Sequence, residues 1–258
     1  MKIEETPNDV LAVKSLDNQL RPSSNLHPDL LQPPFSLLLV GSAGSGKSTT
    51  ILRLIYGNKR CKGADKSNTH HKFYRHHFDK IYVFSPTWEL DPKTQRCKIP
   101  SDQIFDDPEL YEETISEILK GQQEDIEAEG KEEADDILMI FSDLAGTKLF
   151  SQKKGIMNKL AFNRRHFNIS LIIDTQSLRQ INNAFRENLS GIMLYAGISN
   201  KKELAKIHEE YLGRYSTQQA QEILDYVFKG SQFNFLFINF QKRGKMFKNF
   251  NPLTIKAD

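Results

Sequence analysis

The run Gly41-Ser42-Ala43-Gly44-Ser45-Gly46-Lys47-Ser48 fills every fixed position of the pattern G-x-x-x-x-G-K-[ST]. Glycines at these spacings let successive backbone N–H groups turn inward around an anion. Lys47 is long enough to reach the β- and γ-phosphates of a nucleoside triphosphate. The Ser48 hydroxyl is a hard oxygen suited to Mg²⁺, and Thr49 closes the cradle. Phosphoryl transfer to water needs more groups than this. An acid at the end of another strand must hold the metal, partly through water, or orient the attacking water, and Asp143 is the candidate. Many ATPases place two adjacent acids there, whereas this chain has Ser142-Asp143, so one of the two roles lacks a carboxylate. Asp143 is then either the metal acid with the base elsewhere, or the base with Ser142 beside the metal. Gln176 is a neutral amide that could sense the γ-phosphate or position water without adding negative charge. Hydrolysis shared between subunits further needs a cation donated to a neighbour's γ-phosphate. Arg164, Arg165 and Arg186 are the candidates.

These residues need strands and helices to bring them together. Phe35 to Val40 is an apolar run that reads as a buried strand entering the glycine loop, and Thr49 to Tyr56 reads as the helix leaving it. Further apolar runs at Lys80–Phe84, Ile137–Phe141, Ile169–Ile173, Gly191–Tyr195 and Phe233–Phe240 are expected strands. Helices are expected over 107–120, 151–166, from Lys201, and over Thr217–Phe228. Strands alternating with helices predict an α/β domain with a central, mostly parallel sheet flanked by helices. The ligand then sits at the strand C-termini. The expected domain spans 34–240, after an extended lead-in over 1–33 and before a basic tail over 241–258. Within it, 58–78 reads as a basic, His-rich excursion and 121–136 as an acidic mobile segment.

Composition sets the bounds. The 258 residues and 38% hydrophobic content suit one α/β domain with appendages. No apolar run approaches membrane-spanning length, and Met1–Leu20 lacks the apolar core of a signal peptide. Cys61 and Cys97 make no disulfide framework and suit a reducing compartment. The net charge of +2 hides segregation, because an acidic stretch over 122–136 contrasts with basic ones over 59–80 and 241–248. Lys242, Arg243, Lys245 and Lys248, with Phe247 and Phe250, would suit a sequence-neutral grip on nucleic-acid phosphates.

Taken in order, the motifs resemble those of the genome-packaging ATPases of large eukaryotic DNA viruses, virophages and related elements, in the FtsK–HerA superfamily. The resemblance rests on His27-Pro28 and Pro34-Phe35 before the glycine loop, on Ile81 to Thr87, and on the strand ending at Asp143. It continues through Arg165-His166 with Ile169 to Gln176, and through Arg186-Glu187-Asn188. It implies a P-loop NTPase of the additional-strand ATPase type that uses ATP and Mg²⁺ to thread double-stranded DNA into a capsid. A pentameric or hexameric ring, a capsid vertex protein as a further partner, and a place in the host cytoplasm or viral factory follow from the same resemblance. Ser142 is the departure, where the family usually has an acid.

Three other schemes use some of the same residues. Asp143-Leu-Ala-Gly146 with Asn200-Lys-Lys-Glu203 approximates the D-x-x-G and N-K-x-D of a GTPase-like switch, but leaves Gln176 without a role. A small-molecule kinase would turn over ATP regardless of DNA. A nucleotide-gated DNA-binding or assembly protein would tolerate the weakened acid at Ser142. Cys61, His70, His71, His76 and His77 lack zinc-site spacing and read as a protonatable basic loop.

Overall fold

The computed structural model describes residues 26–57, 73–144, 147–152, 154–198 and 200–255. Cys61, His70, His71 and the rest of 58–72 lie outside them, as do 1–25, Ala145, Gly146 and 256–258. The strands are β1 (Ser36–Val40), β2 (Lys80–Phe84), β3 (Ile104–Phe105), β4 (Ile137–Phe141), β5 (Ile169–Thr175), β6 (Gly191–Tyr195), β7 (Phe235–Asn239), β8 (Lys245–Lys248) and β9 (Asn251–Pro252). The helices are α1 (Lys47–Tyr56), α2 (Tyr111–Glu129), α3 (Ile156–Asn163), α4 (Asn183–Arg186), α5 (Lys201–Tyr211) and α6 (Thr217–Phe228).

Among the described residues the strands form one sheet in the order β3-β2-β4-β5-β1-β6-β7-β8-β9. All pairs from β3 to β6 are parallel, and β7, β8 and β9 add antiparallel strands at the other edge. Unbroken apolar runs such as Leu37-Leu-Leu-Val40 and Ile137-Leu-Met-Ile-Phe141 occur because the sheet is covered on both faces. Alternate β1 residues point to opposite layers. Leu38 and Val40 join a core with Ile115 of α2, Leu160 of α3, Ile207 of α5 and Leu224 of α6. Leu37 and Leu39 join the other core, with Ile51 and Leu54 of α1, Leu31, Tyr74 and Trp88. β5 lies between β1 and β4, with Leu39 opposite Asp174 and Phe141 opposite Ile173. The strand inserted there sets the C-terminal ends of β1, β4 and β5 side by side. The site forms at those ends.

Three expected boundaries move. The helix expected to end at Lys120 runs on into the acidic stretch, because α2 continues to Glu129 and ends at Gly130. Gln122 is buried on its inner face, and its amide donates to the Asp135 and Phe167 carbonyls at 2.8 and 3.0 Å, while the acids face solvent. The extended lead-in is packed against the domain from Leu26 on. Leu26, Leu30 and Leu31 are core residues, and the Tyr74 hydroxyl donates to the Leu31 carbonyl at 2.9 Å. The basic segment after residue 240 is no detached tail, since β8 pairs with β7 through Leu236–Asn239. Phe247 is buried and Phe250 half-buried against Phe237, so alternation of apolar side chains decides this segment more than its charge does.

Candidate active site

The glycine loop leaves the end of β1, where the Gly41 N–H donates to the Thr175 carbonyl of β5 at 3.1 Å. A Cβ at Gly41 would fall 2.7 Å from both Ser45 Oγ and Tyr195 Cβ, so only glycine fits. Gly46 takes φ 98° and turns the chain into α1. α1, like α3, begins with no side-chain cap and no acid in its first turn, whereas α4, α5 and α6 are capped by the side chains of Asn182, Asn200 and Ser216. Its first N–H groups and the positive end of its dipole are therefore left for an anion. Lys47 folds over the loop, with Nζ donating to the Gly41 and Ser42 carbonyls at 2.7 and 3.2 Å. Burial pushes its ammonium below the usual lysine range, against the pull of Asp174 and then Asp143.

Lys47, Ser48, Asp143, Asp174 and Gln176 line one cavity of about 530 Å³, together with Ala43, Gly44 and Thr87. Asp143 follows β4 in the left-handed region, at φ 54°, a conformation that aspartate tolerates better than most residues. Its side chain is presented to solvent and accepts from Thr87 Oγ1 at 3.0 Å. Ser142, just before it, is buried and donates from Oγ to Asp174 Oδ2 at 3.0 Å. The Asp143 N–H donates to the other oxygen of Asp174 at 3.1 Å. Burial pushes the Asp174 carboxyl above its ordinary range. The Asp143 N–H, the Lys47 ammonium and the Ser142 hydroxyl oppose that shift, and the Asp143 charge adds to it.

Asp174 is the residue that sequence reasoning misses. It stands inside Ile172-Ile173-Asp174-Thr175, and a carboxylate within an apolar strand is the signal that could have found it. Its place beside Ser142 follows only from the insertion of β5 next to β4. Ser48 and the two carboxylates offer hard oxygens within one cavity, a donor set that fits Mg²⁺. Among the described residues no group of His, Cys, Asp and Glu has zinc-site geometry, and His77 is half-buried among Tyr74 and Phe78.

The arginines separate into two kinds. Arg164 is buried at the N-terminal side of β5, donates to the Ala161 carbonyl and reaches Ser190 Oγ at 3.1 Å. Burial lowers its guanidinium to about 10, with the neighbouring Arg165 charge adding to the effect. Arg186 is buried as well. It forms a two-bond pair with Glu210 at 2.9 and 2.8 Å and donates to the Leu178 and Ile181 carbonyls. Both are buried and held by contacts within the chain, although Arg164 Nε has no partner among the described residues and Arg164 lines the same hollow as Arg165. Arg165 is partly exposed and borders a surface hollow with Phe162 and His166. It is the candidate that stays available, at the end of the sheet away from the glycine loop.

The GTPase-like pieces also find other work. Glu203 is buried and accepts the Leu178 N–H at 2.6 Å, and Asn200 caps α5, so neither is presented to a guanine base. In the basic segment, Lys245 pairs with Asp29 at 2.7 Å and Lys248 donates to the Tyr226 carbonyl at 2.8 Å. Lys242 and Arg243 remain exposed.

A glycine loop between β1 and α1, an acid after β4 and an extra strand between them give the chain the P-loop NTPase fold of the additional-strand type. The sequence matches no protein-family model and no curated protein. Among solved structures the chain is similar to the genome packaging NTPase B204 from Sulfolobus turreted icosahedral virus 2 in complex with sulfate. The TM-score is 0.56 at 14% identity, covering 88% of this chain and 100% of that one. The complex of the same NTPase with ATP-gammaS gives 0.55 at 17% identity, over 87% and 100% of the two chains. The pCW3 conjugation coupling protein TcpA with ATPgS gives 0.51 at 16% identity, over 80% of this chain and 57% of that one. The likeness shows a fold that this chain shares with the packaging NTPase and the conjugation coupling protein alike.

Proposed function

We propose that this chain is the ATP-hydrolysing subunit of a ring-forming motor that drives double-stranded DNA into a viral capsid. The observation that carries the reading is the convergence of Lys47, Ser48, Asp143, Asp174 and Gln176 in one cavity at the ends of β1, β4 and β5. Backbone N–H groups of Gly44 to Thr49 cradle the phosphates, and Lys47 turns from the loop carbonyls to the β- and γ-phosphates. Asp143, exposed and held by Thr87, is the carboxylate that accepts a proton from the attacking water. Gln176 orients that water without adding charge. Asp174 supplies the second carboxylate from β5, acting through Ser142 where an acid is missing from β4. Mg²⁺ held by Ser48, with Ser142–Asp174 beside its water shell, would neutralise charge on the phosphates.

Arg165 is the cation offered to a neighbouring subunit's γ-phosphate in a pentamer or hexamer, and Lys242 and Arg243 offer phosphate contacts to DNA. A capsid vertex protein is the further partner, which places the motor in the host cytoplasm or viral factory. Support comes from the fold shared with B204 and from the ordered motifs. The test is ATP turnover with and without double-stranded DNA, alongside particle size in nucleotide and Lys47→Ala as the blank. Stimulation by DNA, lost in Lys47→Ala, is expected. Turnover indifferent to DNA would refute the motor, and tight preference for GTP would refute the assignment of ATP.

A further inference from the structure

We infer that Phe233 is the stacking platform for the nucleobase, on the side of the glycine loop opposite the hydrolytic cavity. This rests on the nucleotide reading above. Phe233 is 56% exposed, and its ring lies against the loop: a Cβ placed on Gly46 would sit 3.3 Å from Phe233 Cδ1. A solitary exposed phenylalanine is ordinary on a protein surface. This one differs in where it stands and in how firmly it is held.

The loop that carries it, between α6 and β7, is tied down by its own polar groups. The Phe233 N–H donates to Ser231 Oγ at 3.2 Å, and the Asn234 N–H donates to the Ser231 carbonyl at 3.1 Å. The Asn234 amide donates to the Lys229 carbonyl at 3.0 Å, and the Asn234 carbonyl accepts the Ala196 N–H from the end of β6 at 2.9 Å. The backbone is pinned while the ring stays in water. Such an arrangement leaves an apolar face uncovered until something flat lies on it.

The sheet order says what that should be. Strands run β4-β5-β1-β6-β7, and the cavity holding Asp143, Asp174 and Gln176 lies over the β4 and β5 side of the glycine loop. Phe233 approaches the same loop from the β6 and β7 side. A triphosphate cradled by the loop with its γ-end toward Asp143 and Gln176 therefore directs its nucleoside toward Phe233. The contact the ring offers is stacking, which every nucleobase can make. Phe233 then contributes affinity and little choice between adenine and guanine.

The test compares ATP with inorganic tripolyphosphate, each with Mg²⁺, on the full chain. Phe233→Ala should weaken ATP binding about tenfold or more and leave tripolyphosphate binding unchanged. Phe233→Trp should keep ATP affinity and lose tryptophan emission on adding ATP but not tripolyphosphate. The chain's single natural tryptophan, Trp88, is buried but follows Thr87 of the cavity, so the wild-type response to each ligand is subtracted. Equal ATP affinity in wild type and Phe233→Ala would overturn the inference, as would equal weakening of both ligands, which marks a prop for the loop. A wild-type chain that binds neither ligand removes the nucleotide reading and this inference with it. Turnover indifferent to DNA, with the ATP-selective loss intact, refutes the motor and leaves the platform standing.

Discussion

Moving the missing acid back to β4 tests the carboxylate arrangement directly. In Ser142→Asp, a carboxylate replaces a hydroxyl that lies 3.0 Å from Asp174 Oδ2 and donates to it. Two unit charges about 4 Å apart at an effective dielectric near 20 repel by about 4 kcal/mol. The lost hydroxyl–carboxylate bond removes about 1.5–3 kcal/mol more. The pair can escape part of this by holding a proton between them, so a net destabilisation of about 3 kcal/mol is expected. For a domain of this length that lowers Tm by about 6–12 °C. The held proton fixes the pH dependence. A carboxyl whose folded pKa is raised binds more protons in the folded state, so the deficit is largest at high pH and shrinks as pH falls. The swap Ser142→Asp with Asp174→Ser reverses donor and acceptor across the same gap. It should recover most of the stability and show a coupling of about 2 kcal/mol or more in the double-mutant cycle. Urea denaturation gives the stabilities, and steady-state ATPase shows whether the relocated acid still serves hydrolysis. A Ser142→Asp protein as stable as wild type, combined with full turnover in Asp174→Asn, would refute the reasoning.

Further outcomes follow from the same geometry. Arg186→Ala should destabilise by about 3 kcal/mol, since it breaks a pair whose guanidinium is buried and strips donors from two carbonyls. Unchanged denaturation would return Arg186 to the list of trans-acting cations. Arg165→Ala should leave Tm unaltered and depress hydrolysis only in the assembled ring, so mixing it with Lys47→Ala subunits should restore part of the activity. Absence of any mixed-ring effect counts against a cation acting in trans. Gly41→Ala drives a Cβ to 2.7 Å from Tyr195 Cβ and should cost about 1–3 kcal/mol while weakening nucleotide binding, read by denaturation and titration. Lys242→Ala with Arg243→Ala should reduce the slope of log affinity for double-stranded DNA against log salt by about 2, and an unchanged slope moves the DNA contact elsewhere.

The strands of the core were legible because a parallel sheet covered on both faces writes itself as unbroken apolar runs. Ile137–Phe141 and Gly191–Tyr195 stand where the sequence places them, as does the helix Thr217–Phe228 with its capping box at Ser216 and Gln219. The edges were less legible. Charge density suggests a mobile segment after Lys120 and a basic tail after Phe240. A single buried amide, Gln122, extends α2, and two phenylalanines, Phe247 and Phe250, fold the tail into the sheet. In both places a few inward-facing side chains outweigh many solvated charges, because exposed charges constrain the backbone little while burial fixes it.

The site divides along the same physical line. Residues contiguous in sequence, Gly41 to Thr49, are readable because the phosphate cradle is local and its spacing is set by backbone geometry. The placement of Asp143 and Gln176 beside that loop is readable because strand ends announce themselves. Arg164 and Arg186 were indistinguishable from Arg165 in sequence, since whether a guanidinium is spent on the fold depends on partners such as Ser190 and Glu210, remote along the chain. Asp174 is the same problem in reverse. Its carboxylate serves Ser142 and Asp143 only because β5 is threaded between β1 and β4, a fact of topology that no spacing encodes. The gap at Ser142 is thus a loss when β4 is read alone. With β5 beside it, the second carboxylate comes from the adjacent strand, held by two hydrogen bonds and beside the lysine of the glycine loop. A site can keep a second carboxyl while moving it across the sheet, provided a hydroxyl fills the place it leaves.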